Sequence, residues 1–236
     1  ATEGMCHFCF DVLIETLSTG NRDAWQQFPL KELEAYSSDL KCPLFVTWNK
    51  EASARGGSSS STTNKAYHLR GCIGTLQPKP LTAKTIGQYA IQSGLRDHRF
   101  KPIQFSEIRF LQCSVSLLVR YEEADSYKDW TVGVHGIIIN FRDTTFNNFS
   151  ATYLPEVAKE QGWSVQTAVE SLIRKAGYNG RITQELLDSI KCTRYQSSKY
   201  KVSFEEYVAS AKNGKDPLEG VGRAIPHGHR PGCEIC

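Results

Sequence analysis

The segment Leu69-Arg70-Gly71-Cys72-Ile73-Gly74-Thr75 is the most unusual of the chain, because two glycines flank a cysteine inside a run that otherwise has the composition of a β-strand. Glycine weakens a strand, so it indicates a place where another backbone or a ligand approaches closely. The run extends over residues 66–76, and residues 44–48 form an earlier run of apolar, aromatic and β-branched residues. We therefore predict that these two runs are paired strands. Residues 53–65, which separate them, are rich in Gly and Ser and predict a flexible loop.

Periodic segments continue on both sides of this pair. Apolar residues at three- and four-residue spacing predict helices over residues 5–19, 81–96, 154–158, 165–176 and 183–189. Strand patterns cover residues 108–121 and 192–200, while residues 132–139 predict two strands around a tight turn at Gly136. Residues 202–207 fit either a final strand or the start of a helix. The pattern predicts an α+β protein with a mostly antiparallel sheet flanked by helices.

Composition narrows the class of protein. The chain has 236 residues, of which 40% are hydrophobic and 22% are charged, as in ordinary globular proteins. No apolar run approaches the roughly 18 residues of a membrane helix, and the N-terminus lacks the features of a signal peptide. We therefore expect a soluble intracellular protein, and we expect its eight cysteines to be reduced thiols.

Charge argues against a dedicated nucleic-acid binder. There are 28 Lys and Arg residues against 25 Asp and Glu, a formal net charge of +3. A local basic and aromatic strip is still present in the sequence, and it contains Lys191, Arg194, Tyr195, Lys199, Tyr200 and Lys201. Such a charge run is usually a solvated face.

Cys72 is the first candidate for chemistry. A thiol beside Arg70 can have a lowered pKa and act as a nucleophile, because the thiolate is the reactive form. Gly71 and Gly74 would let a ligand approach the same strand. The alternative is a small buried cysteine in a glycine-kinked strand, with Arg70 in a surface ion pair.

Three further segments contribute candidates. Arg99 could bind an anionic ligand through its planar guanidinium, with Asp97 orienting it or acting as a base. Alternatively, these two residues cap the helix end and pair with each other. His135, at the predicted turn, could transfer a proton or could simply be solvated. Glu156 is a candidate base, although a carboxylate in the first turn of a helix also interacts favourably with the helix dipole.

Side chains near the two chain ends are of the types that bind zinc, namely Cys6, Cys9, His227, His229, Cys233 and Cys236. Burial of Cys6 and Cys9 on the apolar face of the first helix explains them without metal. We therefore predict no metal site. The terminal Cys-Glu-Ile-Cys formally fits a prenylation signal, but Glu is a poor residue for its aliphatic position.

Several segments resemble the AMMECR domain family in its eukaryotic branch. Residues 69–75 match its signature, and residues 96–100 resemble its Asp-x-Arg-Phe segment. Residues 134–137 are similar to its turn in the His-Gly form. Residues 153–158 and 161–163 resemble its Leu-Pro-Glu-Val and Gln-Gly-Trp segments.

The resemblance covers residues 4–208 and leaves residues 209–236 as a tail that we expect to be poorly packed. It implies a larger and a smaller subdomain with a cleft between them that carries the signature. The family's molecular function is unsettled, and the resemblance does not identify a cofactor. Its genomic association with Memo-type and radical-SAM proteins implies a shared pathway, and the family is associated with the cytoplasm and the nucleus.

The leading hypothesis is a cleft-based enzyme, or a cofactor-dependent accessory enzyme, that acts on a small anionic ligand. Its candidate catalytic residues are Cys72, Asp97, His135 and Glu156, and its candidate ligand-binding residues are Arg70, Gly71, Gly74 and Arg99. The alternative is a non-catalytic adaptor that binds a protein partner of the Memo type. Nucleic-acid binding through the basic strip is the third reading.

Overall fold

The computed structural model describes residues 1–33, 39–52 and 66–219. The α-helices of this part of the chain are α1 (Glu3–Thr19), α2 (Ala83–Leu95), α3 (Pro155–Glu160), α4 (Val165–Lys175), α5 (Gln184–Asp188) and α6 (Phe204–Ala211). Short 3-10 helices cover Ala24–Gln27, Lys31–Leu33 and Phe105–Phe110. The five helices predicted from periodicity are therefore present, as α1 to α5.

The strands form one sheet. They are β1 (Lys41–Glu51), β2 (Tyr67–Pro80), β3 (Leu111–Glu123), β4 (Gly136–Arg142), β5 (Asn148–Tyr153) and β6 (Lys191–Ser203). Their spatial order is β2-β1-β3-β6-β4-β5, and each neighbouring pair is antiparallel. The predicted α+β class and the predicted pairing of β1 with β2 are confirmed.

The larger hydrophobic core lies between the sheet and helices α1, α2 and α6. The hydroxyl of Thr2 accepts a hydrogen bond from the N–H of Met5 at the start of α1, and Gly20 ends the helix with a φ of 76°. Trp48 of β1 is fully buried in this core, and its indole N–H donates to the carbonyl of Ala90 at 3.0 Å. This bond fixes α2 against β1.

The smaller core packs helices α3 to α5 against β4, β5 and the start of β6. Ile137 and Ile139 of β4 are fully buried with Leu172 and Ile173 of α4. Their spacing follows the two-residue period of a strand and the helical period of α4. The two cores are the larger and smaller subdomains, and they share the sheet.

The prediction of a hairpin over residues 132–139 is wrong. Residues up to His135 form a turn, in which the N–H of His135 donates to the carbonyl of Thr131, and β4 begins only at Gly136. The strand that pairs with the outer side of β4 is β5, which the sequence pattern did not reveal. Gly136 is needed for space, because a Cβ there would lie 2.5 Å from the ring of Tyr195.

The C-terminal segment agrees with one of the two predictions for residues 202–207, because α6 begins at Phe204. The described part of the expected tail, residues 209–219, is not unpacked, since Leu218 is buried in the larger core. The loop predicted over 53–65 and residues 220–236 lie outside the described residues. Among the described residues, no helix has the length and apolar character needed to cross a bilayer.

Candidate functional site

A broad groove of about 2030 Å³ lies between the two subdomains and contains Cys72 in its lining. Strands β1, β2, β3 and β6 contribute one part of the lining. Residues between Thr152 and Glu160, Lys175 of α4 and Arg99 of the loop after α2 are also part of the lining. The signature strand therefore faces the cleft that the family resemblance implies.

Gly71 sets the position of α2 beside the signature strand. A Cβ at residue 71 would lie 2.0 Å from the carbonyl oxygen of Ser93, so only glycine permits this approach of the helix. The loop that follows α2 thereby reaches the edge of β2. That loop carries Asp97 and Arg99.

Asp97 and Arg99 bracket the backbone of Cys72. The Cys72 N–H donates to Asp97 Oδ2 at 2.8 Å, and Arg99 Nη2 donates to the Cys72 carbonyl at 3.1 Å. Arg99 also donates to both carboxylate oxygens of Asp97, at 2.9 Å from Nε and 2.7 Å from Nη2. These bonds hold the two side chains and the strand in one network.

The Arg99 hydrogen bond, together with those from the Cys72 and Arg99 N–H groups, lowers the pKa of Asp97 to about 2. Asp97 is buried, with 5% of its surface exposed. A carboxyl group with so low a pKa is a poor proton acceptor at neutral pH. The geometry supports the orienting role for Asp97 rather than the role of a base.

A row of polar side chains continues from Cys72 across the sheet. Thr47 of β1 is paired in register with Cys72 on one side and with Ser114 of β3 on the other, and Ser114 is paired with Lys201 of β6. The Thr47 hydroxyl donates to Cys72 Sγ at 3.1 Å. All four residues line the groove.

Ser114 is the unusual member of this row. Its exposed fraction is 1%, and its hydroxyl forms no hydrogen bond with any described residue. Buried polar groups normally have a partner. An unpartnered hydroxyl in the lining of a groove is therefore a candidate contact for a ligand.

The thiol of Cys72 is not activated in this structure. Burial raises its pKa, against the opposing effects of the Thr47 hydrogen bond and the Arg99 charge, and the Asp97 and Glu156 charges add to the increase. The sequence suggested a lowered pKa caused by Arg70, which is not what we find. Cys72 is half-buried and is a protonated thiol at neutral pH.

The side chain of Arg70 belongs to a different hydrogen-bond network from that of Asp97 and Arg99. It lies at a bulge, because Trp48 pairs with Gly71 and Asn49 pairs with Leu69. Its guanidinium donates to both oxygens of Glu107, at 3.1 and 2.9 Å. Lys50 also donates to Glu107 at 2.9 Å. The geometry supports the alternative reading of Arg70 as an ion-pair residue.

Glu107 is the anchor of that network. Burial raises its pKa, but hydrogen bonds from Arg70, Lys50 and the N–H of Gln104 outweigh burial and lower the pKa to about 2. The Arg70 guanidinium also donates to the carbonyls of Lys101 and Pro102. This network ties β2 to the segment before β3.

The remaining candidates lie in different places. Glu156 lines the groove and forms an ion pair of 2.8 Å with Lys199. The Nδ1 atom of His135 accepts a hydrogen bond from the N–H of Thr131 at 3.0 Å, so His135 fixes its own turn. Gly74 is close to Phe45, whose ring would lie 2.3 Å from a Cβ at residue 74.

The basic strip is interrupted in the folded chain. Arg194 pairs with Glu122 and Asp129, and Lys199 pairs with Glu156. Within residues 1–33, 39–52 and 66–219, no group of three or more His, Cys, Asp or Glu side chains could bind a metal ion. Cys6 and Cys9 are buried in the larger core, and the other predicted zinc ligands lie outside the described residues.

The sequence did not single out Thr47, Ser114 or Lys175 as site residues. Lys175 lines the groove, donates to the carbonyl of Thr152 at 2.8 Å, and lies 4.6 Å from the ring centre of Tyr153. Burial lowers the pKa of Lys175. Polar residues alternating with apolar ones, in residues 47–49 of β1 and 112–116 of β3, were the available signal, but the register that brings them together is not visible in one strand.

Fold and site together define an α+β protein in which one antiparallel sheet serves two subdomains and carries the signature strand at the cleft. Residues 6–200 match the sequence model of the AMMECR1 family. The chain belongs to the AMMECR1 family, as the resemblance of its motifs implied.

Relatives with curated sequences are similar over most of the chain. An uncharacterized protein of Arabidopsis thaliana is 42% identical over 213 residues, which are 90% of this chain and 90% of that protein. An uncharacterized protein of Schizosaccharomyces pombe is 38% identical over 204 residues, covering 86% of this chain and 93% of the relative.

One solved structure has a similar fold. The crystal structure of an uncharacterized protein from Pyrococcus horikoshii gives a TM-score of 0.60 at 23% identity, covering 84% of this chain and 89% of that chain. At this identity the likeness supports the fold alone.

Proposed function

We propose that the protein binds a small anionic ligand in the groove at Cys72 and acts on it as a cleft-based enzyme or as a cofactor-dependent accessory enzyme. The observation that supports this proposal is that the guanidinium of Arg99 is fixed by hydrogen bonds and is still exposed to the groove. Its Nε and Nη2 are held by Asp97 and by the Cys72 carbonyl. Its side chain is nevertheless 58% exposed and lines the groove.

Arg99 retains unused donors. A guanidinium has five N–H groups, and no described residue accepts a hydrogen bond from Nη1 of Arg99, which carries two of them. Because Asp97 already fixes the guanidinium, binding an anion requires little further ordering of the side chain. A carboxylate or phosphate oxygen matches this charged, planar donor.

The thiol of Cys72 is the candidate nucleophile of the site. Cys72 is next to the Arg99 contact, and its sulfur accepts a hydrogen bond from Thr47. Since burial raises the pKa of Cys72, a reaction through its sulfur requires that the ligand or a base removes the proton. Glu156, which lines the same groove, is the candidate base on this chain.

The test uses inorganic phosphate and citrate as probes, with binding measured by calorimetry and by the rise in unfolding temperature. We expect Arg99→Gln to lose binding at least tenfold. The matched control is Arg109→Gln, because Arg109 is similarly exposed and pairs with Asp216 at 2.9 Å. If neither anion binds, or if both arginine variants have the same effect, the proposal fails.

A second candidate, the adaptor, is favoured by Phe146. This residue lies in the loop between β4 and β5 with 79% of its surface exposed and a φ of 65°. Positive φ is rare for a bulky residue, and strained residues concentrate at functional sites. Asp143 fixes the loop, because its Oδ1 accepts hydrogen bonds from the N–H groups of Thr145 and Asn147.

An exposed aromatic side chain on a fixed loop is typical of an anchor that enters a pocket of a partner protein. The partner implied by the family resemblance is of the Memo type. The test measures association of a purified Memo-type protein with wild type, Phe146→Gly and Phe110→Gln. Phe110 is the control because it is exposed elsewhere, at the end of a 3-10 helix. Equal association of all three proteins excludes this role for Phe146.

A further inference from the structure

We propose that the anionic ligand of the groove is the C-terminal carboxylate of a peptide, with the carboxylate at Arg99 and the preceding residues extended across the sheet. The proposal rests on the proposed function, because it assumes that Arg99 receives the anionic group. It adds the class of ligand and the path that the ligand takes.

The size of the groove is the first argument. Its volume of about 2030 Å³ is larger than the roughly 300–1,000 Å³ of ordinary small-molecule sites. The row from Cys72 to Lys201 crosses three strand-to-strand steps. At about 4.8 Å per step this row is about 14 Å long. An extended chain covers that length with about four residues.

The chemistry of the groove floor is the second argument. Thr47 contributes a hydroxyl to the lining, Ser114 contributes one from a side chain that is only 1% exposed, and the adjacent row contains the side-chain amides of Asn49 and Gln112, which are paired in register. Hydroxyls and amides both donate and accept, as the peptide backbone does at every residue. The hydroxyl of Ser114 has no partner among the described residues, so a peptide N–H or carbonyl would supply one.

The charges on the walls are the third argument. Lys175 and Lys199 line the groove together with Glu156 and Glu160, so both signs are present. A polyanion would meet carboxylates along this path, whereas a peptide with mixed side chains is compatible with it. Arg99 lies at the Cys72 end of the row, which places the anionic terminus of the ligand there.

The experiment uses two libraries of N-acetylated hexapeptides with random residues, one with free C-terminal carboxylates and one with C-terminal amides. Each library is incubated with the full chain at near-physiological salt, and the retained peptides are quantified by mass spectrometry. We expect the free acids to be retained at least tenfold more than the amides. Arg99→Gln should abolish this preference.

Ser114→Ala tests the path of the peptide separately. Because no described residue uses the Ser114 hydroxyl in the fold, we expect this variant to keep the wild-type unfolding temperature and to retain peptides several-fold less. Ser116→Ala is the matched control, since Ser116 is similarly buried two residues along β3. Equal retention by the two serine variants would contradict the path.

The inference is overturned if the free acids and the amides are retained equally, or if neither library is retained. If phosphate or citrate still binds in an Arg99-dependent manner, the inference falls and the proposed function stands. If no probe binds through Arg99, both fall.

Discussion

The carboxylate of Asp97 accepts the backbone N–H of Cys72 at 2.8 Å, and this contact joins the loop after α2 to the outermost strand of the sheet. Arg99 completes the contact by donating to the Cys72 carbonyl. The Asp-x-Arg-Phe segment and the glycine-rich signature, which are separate in sequence, are thus two sides of one structural unit.

Asp97→Asn should change the response of the protein to acid. The pKa of Asp97 is about 2 in the folded chain against 3.8 in its ordinary state. A lowered pKa stabilises the fold above pH 4, and this contribution is lost as the pH falls towards 2. The loss in wild type is roughly 2 kcal/mol.

The measurement is the free energy of unfolding by urea at several pH values between 6 and 2. The difference between wild type and Asp97→Asn isolates this carboxyl group, because other acidic residues titrate in both proteins. Parallel pH profiles would contradict the prediction.

Gly71→Ala should destabilise the protein by about 1–3 kcal/mol or more, because the new Cβ would overlap the carbonyl of Ser93. A backbone atom cannot move aside as a flexible side chain can. The control is Gly162→Ala, where φ is 65° and no atom lies within 4 Å of the added Cβ, so that only about 1 kcal/mol of backbone strain is expected. Thermal unfolding of both variants checks the prediction, and an equal loss would contradict it.

Thr47→Val should slow the alkylation of Cys72. The Thr47 hydroxyl lowers the pKa of the thiol against the larger effect of burial, so its removal raises the pKa further. Wild-type Cys72 should itself react slowly at pH 7 and faster as the pH rises above 9, since the thiolate is the reactive form.

The rate is measured with iodoacetamide by mass spectrometry of the peptide that contains Cys72. Ser116→Ala, which leaves the Thr47 hydroxyl in place, is the control. Fast alkylation of wild type at pH 7 would show that the thiol is activated after all.

Glu107→Gln should destabilise the fold without affecting anion binding at Arg99. Arg70 is 12% exposed and would lose its charged partner, which costs roughly 3 kcal/mol for a buried pair. Because the network of Glu107 and Arg70 is separate from that of Arg99, the affinity for phosphate or citrate should stay within twofold of wild type. Calorimetry and urea unfolding give the two readouts, and a loss of affinity in the folded variant would place Arg70 in the binding site.

Phe146→Gly should stabilise the isolated protein by about 1 kcal/mol, because glycine adopts a φ of 65° without strain. A strained residue that is retained at a cost to stability is expected to serve binding. Urea unfolding measures the change, with Thr144→Gly as the neighbouring control. A loss of stability in Phe146→Gly would show that the aromatic ring packs on the protein.

The sequence predicted the classes of most elements because their periods are local. The strands β1 and β2 and the helices α1, α2 and α4 follow from the residue pattern within single segments. Strand β5 was missed because it is short and because helical residues follow it directly. The role of Gly136 was misread because the ring of Tyr195, distant in sequence, determines why glycine is needed there.

The candidate site could be predicted only in part, for a related reason. Glycines at unusual positions located Cys72, and the family resemblance located Asp97 and Arg99. The bulge in β2 turns Arg70 towards Glu107, and nothing in the order of residues indicates that rotation. Thr47 and Ser114 join the site through the register between strands, which is a property of the folded sheet.

The hydrogen bonds between the backbone of Cys72 and the side chains of Asp97 and Arg99 also affect how the molecule behaves towards copies of itself. Strand β2 is at the edge of the sheet, where unpaired N–H and carbonyl groups can recruit a strand from another chain and begin aggregation. At Cys72 both of these groups are already bonded to side chains of the same molecule. A foreign strand would have to displace a charged pair to extend the sheet at Cys72, so Asp97 and Arg99 also block association at this position of the edge.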